Sequence, residues 1–71
     1  MYEIAIHLSV SDLQAYVNTK IKDGFRPEGG ITIIPEYDIS KDGRFEAMYG
    51  MQRSAGAPTR FTAYAQVIIK I

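Results

Sequence analysis

Only one stretch of this chain carries the apolar spacing of a helix. Leu13, Val17 and Ile21 stand four residues apart, which aligns them along one side of an α-helix. Ser11, with Gln14 three residues on, reads as a capping box, and Val10 before it as a staple onto Ala15. Asp12 near the start and Lys20 and Lys22 near the end complement the helix dipole. Gly24 is the expected stop. The spacing therefore predicts a helix over residues 12–23, about 18 Å long at 1.5 Å per residue. One helix of that size cannot enclose a core by itself. It has to lie on a sheet, and the rest of the chain has to supply that sheet.

The flanking segments read as strands. In "YEIAIHL", residues 2–8, Tyr2, Ile4, Ile6 and Leu8 alternate with Glu3, Ala5 and His7, the period of a strand with one apolar face. "ITIIPEYDI" sets Ile31, Ile33, Tyr37 and Ile39 on one side. Pro35 within it has no N–H to give a ladder, so this strand lies at an edge or is bulged. Before it, Pro27 and Gly29-Gly30 turn the chain, the glycines permitting positive φ or a bulge. "KDG" at 41–43 signals a hairpin turn. "RFEAMYGMQR" then reads as a strand with Phe45, Ala47, Tyr49 and Met51 together. "TRFTAYAQVIIKI" closes the chain with Phe61, Ala63, Ala65, Val67, Ile69 and Ile71 on one face. The expectation is one α+β domain spanning residues 1–71, in the order β-α-β-β-β. Its single helix packs on one face of a mainly antiparallel four-stranded sheet. Ala47, Ala63 and Ala65 are small where that helix would approach.

A 71-residue chain buries only about 60% of its extended surface. Chains of this size are often reinforced by disulfides, metals or a second subunit. With no cysteine and a single histidine, disulfides, thiolate sites and histidine-rich metal sites are excluded, and association is left. No cofactor is expected. The face lying away from the expected helix is only half polar, and Ile34, Met48, Tyr64, Gln66 and Ile68 on it form the expected homo-oligomer interface. No apolar run reaches the ~20 residues of a membrane span. The N-terminus lacks the features of a signal peptide, so a cytoplasmic location is expected.

Net charge is zero, which disfavours double-stranded nucleic acid as a partner. The distribution is uneven. Residues 1–43 carry four basic against seven acidic side chains, and residues 44–71 carry four basic against one acidic. An anion would therefore meet the second half. There, Arg53 and Arg60 bracket "SAGAPT". Arginine forks suit phosphate. Ser54 and Thr59 add hydroxyls, Gly56 can expose backbone N–H groups, and Tyr49 and Tyr64 on the adjoining strands can stack a base. The competing reading is a solvated hairpin tip. Catalysis finds little support. His7 stands alone on a strand, Ser9 and Ser11 suit capping, and Asp38 and Asp42 flank a turn. Neither phosphate-loop fingerprint occurs.

The run Val17-Asn18, Ile21, Gly24-Phe25, Pro27 and Gly29-Gly30 resembles a short family known as a domain of unknown function, with members in bacteria and phages. Its pattern is V-N-x-x-I-x-x-G-aromatic-x-P-x-G-G, followed by a closing strand with an aromatic residue and a glutamine. Tyr64 and Gln66 stand in that neighbourhood here. The resemblance carries no established chemistry. Its phage members imply a small protein that sequesters a nucleotide-like anionic host signal as counter-defence, or else one that blocks a host protein through its open sheet face. From the residues themselves, Asn18 is expected either to tie the helix to the Phe25–Gly30 turn through backbone groups or to stand exposed. The expected function is a non-enzymatic, homo-oligomeric binding protein.

Overall fold

The computed structural model describes residues 1–45 and 58–71. Strand β1 (Tyr2–His7) leads into helix α1 (Val10–Lys22), then β2 (Phe25–Asp38) and, after two short 3-10 turns, β3 (Arg60–Lys70). Among the described residues the sheet has three strands in the order β1-β3-β2, with β3 antiparallel to both neighbours. The α+β class with one helix matches the sequence; the count of four strands does not. The stretch expected to open an extra strand forms the 3-10 turn Gly43–Phe45 instead. Asp42 holds it, accepting from the Arg44 backbone N–H at 3.0 Å, so "KDG" does not make a two-residue hairpin. The rest of that expected strand lies outside the described residues.

The helix begins earlier than the spacing implies. Its N-cap is Ser9, whose Oγ accepts from the Asp12 N–H at 3.1 Å, so Ser11 and Gln14 do not form the capping box. Gly24 ends the helix at φ 95°, a conformation that favours glycine.

The helix also covers the face opposite to the one expected. Leu13, Val17 and Gln66 line one groove, and the Tyr16 hydroxyl donates to Glu3. Glu3, Ala5 and His7 pair in register with Ile68, Gln66 and Tyr64, and directly opposed residues share a face. The covered face is therefore Glu3, Ala5, His7, Tyr64, Gln66 and Ile68. Leu13 and Ile68 form its centre, at 1% and 0% exposure. Gln66 and Ile68, expected at an open interface, are buried beneath α1. Ala63 and Ala65 point to the other, outer face, where they are buried as well. Their small size serves packing on that face, not the approach of the helix.

Chirality explains the inversion. β1 and β2 are parallel to each other, so β1-α1-β2 is a crossover, and crossovers of this kind are right-handed in about 98% of cases. That rule assigns the helix a side, whereas two half-apolar faces leave the side open.

β2 is irregular in two places, between Glu28 and Thr32 and between Ile34 and Tyr37. Gly29 sits in the first at φ 73°, and Glu36 in the second at φ 54°. The second shift flips the alternation, so Ile31 and Ile33 lie on the helix side while Tyr37 lies opposite Phe61 on the outer side. The two glycines are not equivalent. Gly30 does not have positive φ, and a Cβ there would meet nothing within 4 Å. Gly29→Val is expected to lower stability by more than ~1 kcal/mol, whereas Gly30→Ala is neutral or slightly stabilising. Urea denaturation of both variants checks this; equal losses would show that the bulge does not depend on φ at Gly29.

Candidate functional site

Three features of the surface and near-surface combine residues from distant parts of the chain. The first is the groove between α1 and β2, about 280 Å³, with walls from Val10, Val17, Ile21, Pro27 and Ile31 and with Leu13 and Gln66 also lining it. Gln66 is 6% exposed. Its Nε2 donates to the Glu28 and Gly29 carbonyls at 3.1 Å each and also lies 3.0 Å from the Val67 carbonyl. The bulge lifts these carbonyls from the regular ladder, and burying them without a donor would be costly. Gln66 thus makes the tie that the sequence reading offered to Asn18. Asn18 is exposed and makes no side-chain hydrogen bond among the described residues.

The second is a cleft of about 360 Å³ at the free edge of β1, lined by Glu3, Ile6, His7, Tyr16, Arg44 and Phe45. Its charges are largely spent internally. Glu3 accepts from the Tyr16 hydroxyl and pairs with Lys20 at 3.6 Å. The bond to Glu3 raises the Tyr16 pKa, with burial adding to the effect. For Lys20, burial pulls the pKa down, but Glu3 and Tyr16 together raise it. His7 stacks obliquely on Tyr16, with ring centres 5.0 Å apart. Arg44 grips Asp42 with two N–H groups, at 3.0 and 2.8 Å, and donates a third to the Ile4 carbonyl at 2.6 Å. Tyr37 adds a hydroxyl bond to Asp42 at 2.5 Å. Arg44 and this Tyr37 bond hold the Asp42 carboxyl far below the usual range, against burial, and the Tyr37 pKa rises in return. This cluster fastens the segment after β2 to the edge of β1. Its polar groups bind one another: the Tyr16 hydroxyl is taken up by Glu3, and the Tyr37 hydroxyl and the Arg44 guanidinium by Asp42.

The third is the outer face of the sheet. Tyr2 opposes Ile69, and Ile4 opposes Val67. Tyr2, Ile4, Val67 and Ile71 are all exposed. Beside them on β2, Arg26 and Glu28 oppose Ile69 and Val67 and pair loosely at 3.8 Å.

The residues expected to bind an anion are not brought together among the described residues. Tyr49, Arg53, Ser54 and Gly56 lie outside them, as does Met48 of the expected interface. The carbonyl of Thr59 accepts from the Ile39 N–H at 2.8 Å. Arg60 is exposed and stands in register with Asp38. Asp38 is held below its ordinary pKa chiefly by Ser40, with Arg60 contributing last, so a carboxylate competes with any anion there. Tyr64 lies on the helix-covered face, opposite His7 and Ile33. Ile34 lies on the outer face, opposite Ala63. No group of three His, Asp or Glu side chains suited to a metal occurs among the described residues. No helix among them is long and apolar enough to cross a membrane. Sequence reasoning missed the Asp42–Arg44–Tyr37 cluster. The signal was the closeness of Asp42 and Arg44, which reads as turn chemistry until Ile4 arrives from 40 residues away.

Two measurements test these assignments. Gln66→Leu should cost about 1–3 kcal/mol by leaving two carbonyls without their donor, while Asn18→Ala stays within about 0.5 kcal/mol; comparable losses would return the tie to Asn18. The depressed Asp42 pKa stabilises the fold above the unfolded value near ~3.9. That contribution disappears as pH falls further. The melting-temperature gap between wild type and Asp42→Asn should therefore be widest near neutrality and shrink below about pH 4. A gap independent of pH would rule out the ion pair as its source.

Compared with known proteins, the chain matches no protein-family model, no curated protein and no solved structure.

Proposed function

We propose that this protein is a non-enzymatic binding module that works as a homo-oligomer and engages a protein target. One observation carries the reading. Among the described residues, the exposed large apolar side chains other than Met1 fall into two separate patches on opposite sides of the sheet. Tyr2, Ile4, Val67 and Ile71 form the outer patch, and Val10, Ile21, Ile31 and Ile33 form the helix-side patch. An antiparallel sheet that only meets water is polar on its open face, and contiguous apolar patches on small soluble proteins commonly mark interaction sites. Two patches suit a module that associates with itself through one and with a target through the other.

The outer patch fits a protein target. Tyrosine is enriched among residues that dominate binding energy, and here Tyr2 has apolar neighbours and a charged border formed by Arg26 and Glu28. Sequestration of a nucleotide has weaker support, because Asp38 stands across from Arg60.

Size exclusion with light scattering is expected to give a mass above 8.0 kDa at micromolar concentration. Calorimetry with mono-, di- and cyclic nucleotides is expected to show no heat of binding. A mass of one chain across that range would reject the reading. Nucleotide binding that disappears in Arg60→Ala would replace the protein target with an anion.

A further inference from the structure

We propose that the helix-side patch is a two-fold interface in which the free edge of β2 pairs antiparallel with β2 of a second copy, centred on Thr32. This rests on the homo-oligomer reading above and assigns its surface.

The direction of backbone groups comes first. The Lys70 N–H donates to the Met1 carbonyl at 2.8 Å. In an antiparallel ladder, successive residues turn their backbone groups alternately to one side and the other. Lys70, Ile68, Gln66 and Tyr64 therefore bond toward β1, and Ala65 and Ala63 bond toward β2. Thr32 and Ile34, opposite Ala65 and Ala63, spend their N–H and C=O groups inside the sheet. Ile31 and Ile33 turn theirs outward. The same rule turns the Ile4 carbonyl of β1 outward, and there Arg44 bonds it. The β1 edge is thus capped by a side chain. At the β2 edge, no described group outside the strands bonds Ile31 or Ile33.

The side chains point to the same conclusion. Ile31 and Ile33 are 51% and 62% exposed and lie on the helix side, where Val10 and Ile21 are also exposed. Unprotected edges with apolar side chains are templates for another strand. The register of β2 with β3 is regular over residues 32–34, the first shift covering 29–31 and the second 35–36. Ile31 and Ile33 flank Thr32 on either side, so a two-fold through Thr32 sets Ile31 opposite Ile33 of the second copy and Ile33 opposite its Ile31. Both pairs turn outward groups toward each other, which satisfies four backbone bonds. Thr32 meets its own copy on the outer face, and threonine pairs favour such positions. On the helix side, the four isoleucines fill the space between two copies of α1 and cover Val10 and Ile21. Beyond the bulges, the two-fold brings Arg26 of one copy toward the acidic end of the other β2, at Glu36 and Asp38. The result is one six-stranded sheet with two helices on one face. A two-fold of this kind closes on itself and stops at a dimer.

Hydrogen exchange on the wild type, combined with light scattering, tests this without a substitution. The amides of Ile31 and Ile33 are expected to be protected in a species of twice 8.0 kDa, and to lose protection on dilution to the monomer. Ile31→Lys/Ile33→Lys is expected to raise the dimer dissociation constant at least a hundredfold with α1 and β3 amides still protected, because both side chains are exposed in the monomer. Val67→Lys, on the outer patch, should leave the dimer intact. An oligomer in which these two amides exchange freely, or which the double lysine variant leaves unchanged, would overturn this interface while sparing the homo-oligomer reading. Protected amides in a chain that stays monomeric would overturn it by showing that the edge is covered from within. A monomer with freely exchanging amides would reject both.

Discussion

The bond from the Gln66 side chain to the Glu28 and Gly29 carbonyls is the contact on which much of this structure depends. β3 is the central strand, and everything else is arranged around it. β2 can run for 14 residues along it only because its two register shifts are tolerated. The first shift leaves carbonyls facing a partly buried space under the helix. Without a donor from β3 they would carry a desolvation penalty. With it, the bulge becomes a fixed corner, α1 packs above it through Leu13, and the α1–β2 groove keeps its shape.

The second fastening is electrostatic and lies at the opposite edge. Asp42 gathers two N–H groups of the Arg44 side chain, its backbone N–H and the Tyr37 hydroxyl. Arg44 in turn reaches the Ile4 carbonyl. One turn thereby connects the end of β2 to the edge of β1 and occupies the backbone there. The two sheet edges end up chemically different: one capped by a guanidinium, the other presenting the outward groups of Ile31 and Ile33. Among the described residues that asymmetry singles out the β2 edge, which is the one used by the dimer proposed above and is distinct from the outer patch around Tyr2 and Val67.

The candidate site was legible only in part. The apolar residues of the first and last strands and the breaks at Gly29 and Pro35 were visible, because alternation and backbone restrictions are local. The partner of each break was not visible. A glutamine in a strand reads as a surface residue, and Gln66 becomes a structural donor only when Glu28, 38 residues earlier, is folded against it. Tyr64 and Ile68 looked available for an interface for the same reason: alternation reports that a strand has two faces, not which one a helix will take.

Local patterns were enough for one helix, its end at Gly24, an edge position or a bulge for β2, and an α+β layering. Each follows from dihedral preferences and periodicity within a few residues. The tertiary structure decided the strand count, the face that α1 covers and the separation of the exposed isoleucines into an open edge. Those depend on the hand of a crossover spanning β1 to β2 and on side chains closing over distant carbonyls. Both are properties of contacts between segments far apart in the chain, and local sequence patterns do not encode them.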